Sequence, residues 1–255
     1  MPGHARAVAV ANLMPKRPSL DLRPEHIAFA GEARTDHRSA LVLCWPTLPA
    51  AWSMLAQAVA SLTEIRGNSA PAHGVRPAVT PWMQAVAPQL CRPVAHDVVA
   101  GESTVATLVR RLPIRMAVAV TEYEPDRDVP EPVRCRDLFG GCLAAYDAYL
   151  RETHQAASRV MMVKGKDSSQ EILYQASYQE VGARLATSGP MSAMDLRFWA
   201  DAPPLPLELA ELAAAAVIRY LQNPEKPHPL VETIKVHTVP LSRFYESTIG
   251  RKRRR

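Results

Sequence analysis

Residues 114 to 123, IRMAVAVTEY, place Ile114, Met116, Val118 and Val120 at every second position. A period of two is that of a strand with one face against a core, so the chain must build a sheet and a layer to cover it. Downstream, CRDLFGGCLAAYDAYLRETH sets Leu138, Cys142, Tyr146 and Tyr149 at helical spacing, and RVMMVKGK reads as a short strand. Residues 168 to 190 fit neither period, and MDLRFWAD reads as a further strand. PLELAELAAAAVIRYLQNPEKP predicts a helix with an apolar stripe through Leu209, Leu212, Ala216 and Tyr220, stopped at Asn223-Pro224. LVETIKVHTV closes the set as a predicted strand.

The resulting order, β-α-β-β-α-β, is that of a ferredoxin-like unit with two helices on one face of a four-stranded sheet. Upstream, RAVAVANL, HIAFAG and RSALVLCW predict strands, and AAWSMLAQAVASLTEIR predicts a helix with Trp52, Leu55, Val59 and Leu62 on one face. The expectation is an α+β protein with two tandem ferredoxin-like domains: an irregular one over 1–110 and a more regular one over 111–255 that carries a basic tail.

Charge narrows the partner. The chain of 255 residues has a formal net charge of +5, and of its 30 Lys+Arg only residues 16, 164, 166, 226, 235 and 252 are lysine. The rest are arginine, whose planar fork of donors fits phosphate and stacks on bases. Cys44, Cys91, Cys135 and Cys142 have no CxxC spacing, which points to free thiols in a reducing compartment rather than a zinc module or a disulfide framework. The short apolar run in MPGHARAVAVANLMPKRP closes at Pro15, Lys16 and Arg17, which fits a strand better than a leader. No segment reaches the ~20 apolar residues of a membrane helix, so the expected setting is the cytoplasm, without membrane contact.

The sequence has no GxGxxG, P-loop, GxSxG or HExxH. Nucleotide-binding, hydrolase and zinc-protease readings thereby lose their usual support, and the scattered histidines suggest no metal site. Arginines at element boundaries remain. TLVRRLPIR brings together Arg110, Arg111 and Arg115, and VRCR adds Arg134 and Arg136, a candidate phosphate-tracking patch or else a solvated surface. Arg23 lies in DLRPEH, and His37 with Arg38 in TDHRS just before a strand; His37 reads either as a proton-transfer group or as a capping histidine. Arg243, Phe244 and Tyr245 in PLSRFYES precede a terminal run of Arg251, Lys252, Arg253, Arg254 and Arg255. An aromatic pair beside such a run suits the stacking and neutralising of single-stranded RNA, or a staple that fixes the tail.

On DLRPEH, TDHRS and PLSRFYES, with a basic chain of this size and tandem ferredoxin-like order, the protein resembles the RAMP superfamily of CRISPR RNA-processing endonucleases. The arginine-rich style is most similar to the type IV CRISPR nuclease that matures crRNA. It departs from most RAMP nucleases in having only TSGP and TIGRKRRR where their glycine-rich loop would stand. An RRM matches less well, because IRMAVAVTEY and MDLRFWAD lack paired stacking aromatics.

The resemblance implies a metal-independent endoribonuclease without cofactor. The ribose 2′-hydroxyl attacks the adjacent phosphate of a CRISPR repeat hairpin, and the enzyme keeps the crRNA in a complex with other effector subunits. Arg23, Arg38 and Arg243 are the implied positioning and charge-stabilising groups. A pKa above about 12 makes arginine a poor base, so His37, His237 or Tyr245 would move the proton. Two alternatives stand beside this: a non-catalytic RNA-binding subunit of a CRISPR ribonucleoprotein, and a basic DNA-binding protein of a plasmid or phage.

Overall fold

A computed structural model describes residues 24–65, 102–123, 129–185, 194–200, 203–240 and 242. After a single 3-10 turn at Pro24–His26 the elements are β1 (Ile27–Arg34), β2 (Arg38–Pro46), α1 (Ala51–Ile65), α2 (Glu102–Val109), β3 (Ile114–Glu122), α3 (Glu131–Thr153), β4 (Val160–Lys164), α4 (Ser168–Leu185), β5 (Asp195–Trp199), α5 (Leu205–Gln222) and α6 (Pro229–His237). The protein is α+β, and the described strands form one five-stranded sheet in the order β3-β2-β1-β4-β5. β2 is antiparallel to both β1 and β3, whereas β4 runs parallel to β1 and β5 parallel to β4. Four strands therefore share a direction and β2 alone opposes them.

Helices cover both faces. On one, α1, α2, α5 and α6 bury Trp52, Val109, Val217 and Ile234 against Ile27, Phe29, Val42 and Met116. On the other, α3 and α4 bury Phe139, Tyr146 and Tyr178 against Leu41, Leu43, Ala117 and Met161. A sheet covered twice needs apolar residues on both sides of its strands. This accounts for β3, expected to be half-buried: Ala117 and Ala119 are as buried as Met116 and Val118.

One unassigned segment resolves and one predicted element changes. Residues 168–185, which fitted neither period, are helix α4, and its buried set Tyr174, Ser177, Tyr178 and Val181 follows helical spacing. LVETIKVHTV is largely helix α6, not a strand; Pro229 opens it, and only Thr238 keeps a bridge, to Met116 of β3. The order from residue 114 is accordingly β-α-β-α-β-α-α, and strands from before and after residue 110 share the sheet.

The predicted stripe of α5 is rotated. Leu209, Ala210, Ala213, Ala214 and Val217 are buried, whereas Leu212 and Tyr220 are only partly so. Its alanines meet Gly31 of β1, where an added Cβ would stand 2.1 Å from the carbonyl carbon of Ala210. Backbone lies against backbone there, which only glycine on one side and small residues on the other allow. The expected helical stripe of α3 is buried at Leu138, Cys142 and Tyr146. Cys44, Cys135 and Cys142 are free and buried.

Arg23, Arg243, Phe244, Tyr245, Arg251, Lys252, Arg253, Arg254 and Arg255 lie outside the described residues, as do Cys91, the strand predicted at RAVAVANL and the TSGP segment. No described helix is long and apolar enough to cross a membrane.

Candidate functional site

In an open sheet with parallel strands, side chains converge for ligand binding at the carboxyl ends of strands whose connections leave in opposite directions. Here those strands are β1 and β4. The chain leaves β1 toward β2 on one side and leaves β4 through α4 toward β5 on the other. Just at these ends the apolar strands turn charged: GEAR closes β1 and KGK closes β4.

Glu32 is the centre of the group. Its carboxylate is 8% exposed and takes the Lys166 ammonium at 2.6 Å as well as the Arg34 guanidinium. Arg34 also pairs with Glu131 at the start of α3 and approaches Cys135 Sγ at 3.4 Å. Both cations donate to one phenol oxygen, that of Tyr174 on α4: Arg34 Nη2 from 3.0 Å and Lys166 Nζ from 2.6 Å. Lys166 further lies 4.4 Å from the centre of the Tyr174 ring, within cation–π range.

Local structure fixes these groups. Asp167 caps α4 by accepting from the backbone of Ser169 at 3.1 Å and Gln170 at 3.0 Å, and Glu171 reaches back to the Lys166 N–H at 3.1 Å. The backbone that carries Lys166 is thereby held on both sides. Burial pushes the Cys135 thiol up to about 11, although Arg34 pulls the other way. At neutral pH it is a thiol, unsuited to nucleophilic attack.

Arg38 lies along the same edge of the sheet, engaged in structure. Its Nε donates to Glu122 at 2.7 Å, and its Nη1 donates to the Leu221 carbonyl in the last turn of α5, also at 2.7 Å. His37 is exposed on the β1–β2 turn, and its carbonyl accepts from the Tyr123 N–H at 2.9 Å. His237 is at the opposite end of β3, buried, with Nδ1 donating to the Ile114 carbonyl at 3.1 Å. Burial lowers its pKa, and the nearby Arg115 acts in the same sense. His37 and His237 are therefore separated by the length of β3, about 25 Å, and do not meet at one reacting group.

The same distance divides the five arginines expected to form a patch. Arg110, Arg111 and Arg115 are exposed around the turn from α2 into β3. Arg134 and Arg136 are at the far end, on α3. There Arg134 donates to the Val129 carbonyl at 3.0 Å and covers the Tyr123 ring at 5.1 Å, while Arg136 faces Asp137 and Glu180, each at 3.8 Å. Only the first three are without carboxylate partners among the described residues. Arg115 spends one hydrogen bond, at 3.4 Å, on the Val236 carbonyl near the end of α6.

Glu32, Arg34, Lys166 and Tyr174 were not among the residues singled out from the sequence. Among the described residues no group of three His, Cys, Asp or Glu side chains is placed to hold a metal ion. No family model, no curated protein and no solved structure matches this chain.

Proposed function

We propose that the protein is an RNA-binding protein that holds its partner through phosphates, as a subunit of a ribonucleoprotein rather than as its nuclease. The observation that carries this is the corner formed by Arg110, Arg111 and Arg115, three exposed guanidiniums within one turn and the start of a strand. Clustered arginine without carboxylate partners is suited to phosphate oxygens, and each contact releases a counterion. The terminal run 251–255 extends the same chemistry, and the resemblance to RAMP proteins supports RNA as the polyanion and other CRISPR effector subunits in the cytoplasm as its company.

The experiment is a titration of single-stranded RNA at several salt concentrations. Log affinity should fall with log salt at a slope of about −0.7 for each phosphate held. Replacing Arg110, Arg111 and Arg115 by alanine should flatten that slope by about two; an unchanged slope would remove the corner from the interface.

Cleavage by 2′-hydroxyl attack is the second reading, favoured by His37, exposed and adjacent to Arg38 at the sheet edge. The described strands form one five-stranded sheet, and this reading rests on the resemblance and on the residues alone. Incubating a repeat hairpin with the protein in EDTA separates the two readings. Cutting that stops with a single 2′-deoxy substitution, and slows in His37→Ala, would establish the nuclease; an intact hairpin supports the binding protein.

A further inference from the structure

The cluster between β1 and β4 gathers two cations and a phenol beside a partly exposed carboxylate. Two cations converge on the Tyr174 hydroxyl, with Arg34 Nη2 at 3.0 Å and Lys166 Nζ at 2.6 Å. Like charges brought this close repel unless anions stand between them. Glu32, whose side chain is 8% exposed, pairs with both cations and answers one of the two charges. The second is answered from the solvent side by Glu131, whose side chain is 42% exposed.

Glu131 is a poor fit to everything the cluster offers. It reaches Arg34 and, at 3.5 Å, the Cys135 thiol, but no contact joins it to Lys166 or Tyr174 among the described residues. Tyr174 is 3% exposed and its oxygen accepts from both cations, while its own hydrogen finds no acceptor among the described residues. An anion with three oxygens could serve Arg34, Lys166 and the Tyr174 hydroxyl together, where one carboxylate on a helix cannot.

We propose that this cluster is a phosphate-binding site in which Glu131 is an internal occupant that an incoming phosphate group displaces. Arg34 supplies a planar fork of donors, Lys166 a point charge, and Tyr174 a neutral donor held rigidly in the core. Glu32 keeps the two cations converged and stays in place. Location agrees with the chemistry, since the cluster lies at the carboxyl ends of β1 and β4 where connections diverge. The site is separate from the α2–β3 corner and does not depend on it.

The test uses the full chain and inorganic phosphate, followed by calorimetric titration. Glu131→Gln removes the occupant's charge from an exposed position and should bind phosphate about tenfold more tightly than wild type. Lys166→Met should lose binding while retaining its melting temperature within a few degrees, and Tyr174→Phe should weaken binding severalfold without unfolding. Equal affinity of wild type, Glu131→Gln and Lys166→Met would overturn the proposal. A short RNA with a 5′-phosphate, compared with the same RNA ending in a 5′-hydroxyl, identifies the source. Preference for the phosphorylated end assigns the site to a nucleic-acid terminus, and equal affinity with retained binding of inorganic phosphate assigns it to a free phosphate. Loss of salt-dependent RNA binding in the alanine variants of Arg110, Arg111 and Arg115 reports on the other surface and leaves this result untouched.

Discussion

The two ends of β3 hold arginines in opposite circumstances. At its carboxyl end Arg38 is held by Glu122, as Arg34 and Lys166 are held by Glu32 at the same end of the sheet, whereas at its amino end Arg110, Arg111 and Arg115 are exposed. The lesson is that a cation's presence says little about its availability. Cations at the sheet edge are engaged by glutamates, and those at the corner have no carboxylate partner among the described residues.

If the edge is structural, removing an anion there should cost most. Glu32→Ala leaves Lys166 without its carboxylate partner and Arg34 with Glu131 alone, at a partly exposed site, and a loss of about 2 kcal/mol is expected in urea unfolding. A loss below about 1 kcal/mol would show that water, not Glu32, balances the cations.

Arg38→Ala comes next. It removes the contact to Glu122 and the hydrogen bond to Leu221, but the side chain is 22% exposed, so about 1 kcal/mol is expected. Arg38→Lys should recover only part of this, because an ammonium cannot serve both acceptors in the same fork geometry.

His237 sharpens the contrast through pH. Burial holds its folded pKa below the ordinary value of 6.5, so the unfolded chain binds the proton more readily. Stability should therefore fall as pH drops through about 6.5 toward the depressed folded value and be fully present above that window. His237→Gln should flatten the dependence; an unchanged slope would assign it to other groups.

The smallest effect belongs to the corner. Arg110→Ala combined with Arg111→Ala should move stability by no more than about 0.5 kcal/mol, as for exposed residues generally. A larger loss would mean that these arginines also hold the fold.

The parts of the fold legible in the sequence were those where composition and period agree. α3 declared itself by Leu138, Cys142 and Tyr146, and α5 by its length and by Asn223-Pro224. α4 was illegible because its buried positions are Tyr174, Ser177, Tyr178 and Val181, in which tyrosine and serine blur the apolar stripe. α6 read as a strand because Val231, Thr233, Ile234 and Val236 are β-branched. Pro229 was the contrary signal, being well suited to a first helical position.

The switch-point cluster was harder still. Glu32 and Lys166 are 134 residues apart, and only the parallel pairing of Ile27–Ala30 with Val160–Val163 brings them together. A local clue existed, since GEAR and KGK each place charge at the end of an apolar strand. Arg38, by contrast, was visible as a boundary arginine, but its engagement by Glu122 and Leu221 depends on two distant elements.

The contact at Gly31 has a mechanical consequence. Helix α5 is clamped at Ala210, where β1 touches it backbone to backbone, and tethered at Leu221, where Arg38 reaches it from β2. The clamp and the tether are about 16 Å apart along the axis, at the rise of an α-helix. One attachment would leave the helix able to pivot, but two remove that freedom and make α5 a splint across the hairpin of β1 and β2. The strand that carries Glu32 and Arg34 is thus braced from behind, so that a load arriving at the switch point meets a stiff wall and moves the exposed Glu131 first.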